Sequence, residues 1–213
     1  SHVDIGESRG NMTDGDWVDG RQISYTESPS DLDLIIVAAG ARRCVFESGS
    51  TRFDAGLDLY WHQAEYEIVG YEGWRGSLFS DQRFPVSGTA PVIDYRVRTS
   101  QALAAFDLRQ GLGSWACLEV RGSGGLAYAS DRDDHLLRGR LSEGRGWGYA
   151  LDGRAELQLL PGRLPGPLTL SLLGDVRYTS TEGDVDQRWY RDEDLPAGTE
   201  INDIPYEIRS THW

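Results

Sequence analysis

Two short acid-rich segments carry side chains able to do hydrolytic chemistry. The first is Asp14-Gly15-Asp16-Trp17. On an extended backbone residues i and i+2 point the same way, so both carboxylates would face one cleft. Paired carboxylates resist double ionisation, and one of them then holds a proton near neutral pH. The second is Asp131-Arg132-Asp133-Asp134-His135. Asp133 and His135 share the same i, i+2 relation. A carboxylate beside an imidazole fixes its tautomer and supports its charged form, which makes it a better general base. Taken singly, each segment also reads as a turn or a solvated loop. If the two segments face each other, a water held between an Asp and His135 would be placed for attack on a peptide carbonyl. A lone His among carboxylates makes a poor zinc site, so no metal and no cofactor are expected.

The elements that must hold these segments are strands. Residues 147–159 alternate with period two: Trp147, Tyr149, Leu151, Ala155, Leu157 and Leu159 on one face, Asp152, Arg154, Glu156 and Gln158 on the other. Leu168, Leu170, Leu172, Val176 and Tyr178 alternate in the same way with Thr169, Ser171, Asp175 and Arg177. Phe53, Ala55, Leu57, Leu59 and Trp61 alternate with Asp54, Asp58 and His62. Seven strands are expected, at 22–42, 53–70, 93–108, 113–130, 145–160, 167–180 and 203–213. Short turns fall near 43–52, 109–114 and 161–167. Long polar loops are expected at 1–24, 71–92, 131–146 and 179–203, which would place both acidic segments in loops. A sandwich core would not hold Asp152, Arg154 and Glu156 on its inner face. An outer-membrane barrel turns its apolar face to lipid and lines its lumen with charges that pair. The fold class expected is therefore all-β, an antiparallel up-and-down transmembrane β-barrel forming a single domain over 1–213. Seven strands are too few and odd in number for such a barrel, and open edges do not persist in lipid. Either strands precede Ser1, which is the expectation, or another chain completes the barrel.

Composition sets limits on this reading. No run of 18 or more apolar residues is present, so no transmembrane helix is expected, but a barrel strand needs only about 9–11 residues. The N-terminus shows no signal-peptide pattern and begins Ser1-His2-Val3. The net charge is −13, and residues 1–33 and 181–205 each hold eight acids and two Arg, which together give 4 − 16 = −12. That imbalance is a solvated pair of loops or an acidic mouth for cationic peptides, and it argues against nucleic acid as a partner. All 21 basic residues are Arg. Cys44 and Cys117 match no metal or redox spacing and are expected to be free thiols.

The two motifs together resemble a family. Ser8-Arg9-Gly10-Asn11-Met12-Thr13-Asp14-Gly15-Asp16-Trp17-Val18-Asp19 is similar to the segment that carries the Asp pair of the omptins, outer-membrane proteases of Gram-negative bacteria. Ser130-Asp131-Arg132-Asp133-Asp134-His135 is similar to their Ser-Asp-x-Asp-x-His stretch. The resemblance implies a barrel of ten strands when complete, of which this chain would lack roughly the first three. It implies an endopeptidase that cleaves next to basic residues, with its active site on the extracellular side of the outer membrane. Asp133 and His135 would be the catalytic dyad and Asp14 and Asp16 the pair opposite. Asp131 would help hold a basic side chain, with Met12 and Ile93 lining its pocket. The family also binds lipopolysaccharide through Arg, Tyr and Glu on the outer wall. Here the matching stretch is Tyr60-Trp61-His62-Gln63-Ala64-Glu65-Tyr66, with Glu65 at the expected Arg. Arg96 and Arg98 lie on the next strand, so that site is altered. The competing readings are a non-enzymatic outer-membrane barrel acting as an adhesin or surface-binding protein, and a soluble β-barrel.

Overall fold

The computed structural model describes the backbone at 2–14, 17–18, 21–22, 24–77, 80–159, 170–192 and 195–212, and the side chains of these residues except 2–8, 11, 12, 14, 17, 18, 77, 80, 81, 211 and 212. Strand accounts for 90% of it, with no helix, so the protein is all-β. In chain order the elements are β1 (His2–Asp14), β2 (Trp17–Val18), β3 (Arg21–Gln22), β4 (Ser24–Ser48), β5 (Thr51–Ser77), β6 (Ser80–Leu112), β7 (Ala116–His135), β8 (Arg140–Leu159), β9 (Leu170–Trp189) and β10 (Glu200–His212). Eight of them form one antiparallel sheet in the order β1-β4-β5-β6-β7-β8-β9-β10. The short β2 and β3 pair only with each other. Each strand of the sheet thus lies beside its sequence neighbour, as in an up-and-down meander.

The count of seven strands is corrected to eight. Residues 2–14, expected within a loop, pair with β4 from His2↔Ala38 to Asp14↔Thr26. The long loops expected at 71–92, 131–146 and 179–203 are mostly strand as well. Hydrophobic alternation stops where both faces of a strand turn polar, but the backbone ladder does not depend on side-chain polarity and runs on. The turn expected at 161–167 lies outside the described residues. The turns after β4 and β6 are tight, with Gly49 (φ 57°) and Gly113 (φ 68°) taking the left-handed backbone that glycine adopts without strain.

The sheet is strongly curved. Gln101 of β6 donates to Thr179 of β9 at 3.3 Å, although β7 and β8 lie between them. Arg177 of β9 stacks 4.8 Å from the ring of Tyr60 on β5. Strands stand about 4.8 Å apart, so these contacts require the sheet to bend until non-neighbouring strands face each other. The concave face holds the small core of Leu103, Ala127 and Ala150, with Tyr60 against it. It also holds a charge ladder across four strands. Arg42 of β4 bridges Asp58 of β5 at 2.6 Å and Asp107 of β6 at 2.8 Å, and Asp107 takes a further bond from Arg121 of β7. The convex face carries the apolar half of the alternation, left uncovered: Leu126, Trp147 and Leu172 are 65%, 65% and 74% exposed. Cys44 and Cys117 are free thiols, on strands that do not neighbour each other.

Asp58 is only 8% exposed, so removing its partner strands a charge. Arg42→Met is expected to lower stability by about 3–5 kcal/mol, the scale for breaking a buried pair. Arg9→Met removes an exposed pair with Asp31 and is expected to change stability by about 0–1 kcal/mol. Denaturant unfolding midpoints of the two variants measure the contrast.

Candidate functional site

Asp133 and His135 are the last inward-facing residues of β7. Since strand side chains alternate, Asp131, Asp133 and His135 share the concave face with Ala127 and Ala129. His135 Nε2 lies 3.0 Å from Asp133 Oδ2, with the two side chains 16% and 24% exposed. Asp133 therefore holds Nε2, and Nδ1 is the ring nitrogen left to act on a proton. The strand is fixed from both sides. Asp133 pairs with Tyr95 of β6 and Ser142 of β8, and His135 pairs with Ile93 and Arg140. Ile93 lies on the same face as His135 and continues to Ile68 of β5, which is 2% exposed. Neither Asp133 nor His135 is in a loop, contrary to expectation; both belong to the upper end of a paired strand.

Asp131 sits one inward position lower, beyond the outward apolar belt that ends near Tyr128 and Trp147. Burial raises its proton affinity, the Tyr206 hydroxyl lowers it, and the neighbouring Asp133 charge raises it again, with a net rise. Tyr95, whose ring lies 5.9 Å from that of Tyr66, is pushed up to about 12 by burial and by Asp131 and Asp133. Tyr206 is raised by burial and then by Asp131. The Tyr206 hydroxyl and the Asp131 carboxylate therefore feel each other. Yet Asp131 Oδ1, Asp133 Oδ1, Ser142 Oγ, Trp189 Nε1 and Tyr206 Oη are buried without a well-aligned hydrogen-bond partner among the described residues. Buried polar atoms are almost always paired, so this concentration on one stretch of concave wall marks groups free to meet a ligand.

The turn beyond His135 is pinned from the connection between β9 and β10. Tyr190 donates its hydroxyl to Asp134 at 2.7 Å, and Arg191 donates to the carbonyl of Leu136 at 3.1 Å. The Tyr190 amide bonds the carbonyl of Gly139, which has φ 57° and no room for a side chain beside Arg191. Asp134 is the outward residue between the two members of the dyad, so this contact fixes the backbone that aims them.

The opposite segment is described in part. Asp14 ends β1 as a backbone position paired with Thr26, and Met12 pairs with Ser28; their side chains, and Asp16 altogether, lie outside the described residues. Strands β1 and β7 are separated by three alternating antiparallel strands, so they run the same way and end at the same rim. Along the hydrogen-bonded row through Tyr95, Tyr66 and Leu32, Asp133 is level with Ser8. Asp14 is thus six residues nearer the rim along its own strand.

Sequence reading had not singled out Tyr95, Ser142, Tyr190 or Tyr206. Nothing in their local spacing marks them; only the register between distant strands brings them to Asp131 and the dyad. Among the described residues no three His, Cys, Asp or Glu side chains converge as a metal site requires. The sequence matches no protein-family model and no curated protein.

A carboxyl whose proton affinity is raised by folding binds protons more tightly folded than unfolded. Its contribution to stability is therefore lost as pH rises through the folded value. Asp131→Asn is expected to raise the unfolding midpoint at neutral pH and to flatten the loss of stability seen on leaving the acid range. Thermal unfolding of both proteins across pH tests this, and parallel curves would refute it.

Proposed function

We propose that the protein is an outer-membrane endopeptidase of the omptin kind, cleaving peptides next to basic residues with a water activated by His135. The observation that carries the reading is the 3.0 Å contact between Asp133 and His135 on the concave wall, with the half-buried Asp131 one inward position below. In this reading Asp133 orients the imidazole and supports its positive form. His135 Nδ1 takes the proton of water as it attacks the peptide carbonyl and later returns it to the leaving amine. Asp14 and Asp16 are assigned to the facing side of the cleft, where a partly protonated carboxyl pair holds the water. Asp131 receives the substrate's basic side chain, with Ile93 and Met12 along it. The acidic excess of the chain favours cationic substrates at the mouth.

The curved meander supports the finer fold assignment, the larger part of a closed ten-stranded barrel in the outer membrane, with the site on the extracellular side. The exposed convex belt of Leu, Trp and Tyr is the surface lipid would cover, and the charge-lined concave face is the lumen. Among the described residues β1 and β10 are not hydrogen-bonded to each other. Lipid tolerates no open edge, so this reading requires further strands to pair both. On the outer wall Arg96 is tied to Glu65 at 2.5 Å and Arg98 to Gln63 at 2.6 Å. Of the arginines facing an anionic lipid head, Arg96 is thereby neutralised while Arg98 keeps its charge, and dependence on lipopolysaccharide is weakened.

The test uses the full-length protein refolded in detergent and a peptide with a single Arg. His135→Ala is expected to lower kcat by about 10²–10⁴-fold, the usual share of a general base. Unchanged cleavage would sink the mechanism. Binding of cationic peptides with no turnover by the unaltered protein would favour the adhesin reading instead.

A further inference from the structure

The concave wall beside Asp131 is unusually bare. Gly144 and Gly146 of β8 and Gly183 of β9 all face inward, in register with Asp131, Ala129 and Tyr206. Across this bare wall Tyr206 of β10 reaches the carboxylate of β7, three strands away. A Cβ placed on Gly144 would overlap Asp131 Oδ1 and stand 2.8 Å from Val185 Cγ2 and 3.0 Å from Tyr206 Cζ, so these three side chains close over that glycine. The wall is flanked by Ser142, 5% exposed, and Thr181, 1% exposed, whose hydroxyls have no partner among the described residues. Together with Asp131 Oδ1 and Tyr206 Oη they offer a ligand several acceptors on one patch.

We propose that Tyr206 is a specificity-determining residue of this site, which with Asp131 over Gly144 forms a pocket that prefers a guanidinium to an ammonium side chain. The inference rests on the peptidase reading for the substrate it names. A guanidinium is planar and carries five donors in a fixed fork, so it can bond the carboxylate and the phenol oxygen at once and lie flat on the ring. An ammonium is a compact, strongly hydrated point charge that is satisfied by the carboxylate alone and gains less from the phenol. Among the described residues the Tyr206 hydroxyl makes no hydrogen bond to Asp133 or His135, so Tyr206 acts on which side chain is held, not on the water.

The test measures binding of N-acetyl-arginine amide and N-acetyl-lysine amide to the full-length protein in detergent by calorimetry. The unaltered protein is expected to favour the arginine compound about tenfold, the scale of one charge-assisted hydrogen bond. Tyr206→Phe is expected to abolish that preference while leaving lysine amide binding unchanged. Gly144→Ala is expected to weaken both, because its Cβ displaces Asp131. In the unaltered protein with isotope-labelled tyrosine, arginine amide is expected to shift the Tyr206 ring resonance, a readout that needs no variant. Equal affinity for the two amides, no binding of either, or a preference that survives Tyr206→Phe would overturn the proposal. A Tyr206-dependent preference without peptide cleavage would keep the pocket and sink the peptidase reading alone.

Discussion

Strand β7 is hydrogen-bonded on both edges, to β6 from Ile93↔His135 to Leu112↔Ala116 and to β8 from Ala116↔Leu159 to His135↔Arg140. That double pairing fixes which way its side chains point. Side chains alternate with period two, so a slip of one residue would send Asp131, Asp133 and His135 to the convex face. The same slip would turn Leu118, Val120 and Leu126 inward, against Arg121's ion pair and the Leu103 core. The apolar and charged halves of the strand thus enforce the register that aims the acids. The site is held by the sheet as a whole, with no single contact near the dyad able to replace it.

The wall around Asp131 departs from the rule that buried polar atoms find partners. Seven such atoms from four strands, Arg140 Nε and Thr181 Oγ1 among them, stand within a few register positions of each other. Deeper along the same face the charges are paired: Arg42, Asp58, Asp107 and Arg121 satisfy one another, and Arg177 meets Asp152 at 3.0 Å, while Gln101 Oε1 and Ser123 Oγ have no partner among the described residues. One face of one sheet therefore pairs its charges in the lower part and gathers most of its unpaired polar atoms in the upper part. Buried groups left unpaired lower stability, and their concentration beside an Asp–His contact is what a binding site, rather than a structural core, would show.

Much of this was legible in the sequence because strand alternation is local. The faces assigned to 53–62 and 147–159 are those of the sheet, and the i, i+2 spacing of Asp133 and His135 does bring them into contact. The length of the strands was not legible. Residues 2–14 and 131–135 have polar side chains on both faces and look like loops, yet their backbones pair with β4 and with β6 and β8. Tyr206 and Asp131 are far apart in the chain, and only the stacking of registers through Gly183 and Gly146, which sets Tyr206 level with Ala129 one inward position from Asp131, joins them. No spacing within one strand encodes such a contact.

The bond from Tyr190 to Asp134 joins residues 56 positions apart. Every hairpin of the meander can zip with its neighbour as soon as both strands exist, but this link waits for β8 and β9 to be in place. The turn after His135 is consequently locked from outside, by a segment made later than anything it secures. Folding order and chain order run together through the strands and part at the rim. The turn beyond the dyad is the portion that settles last, so a chain stalled after β8 would hold the acids in register but leave that turn unpinned.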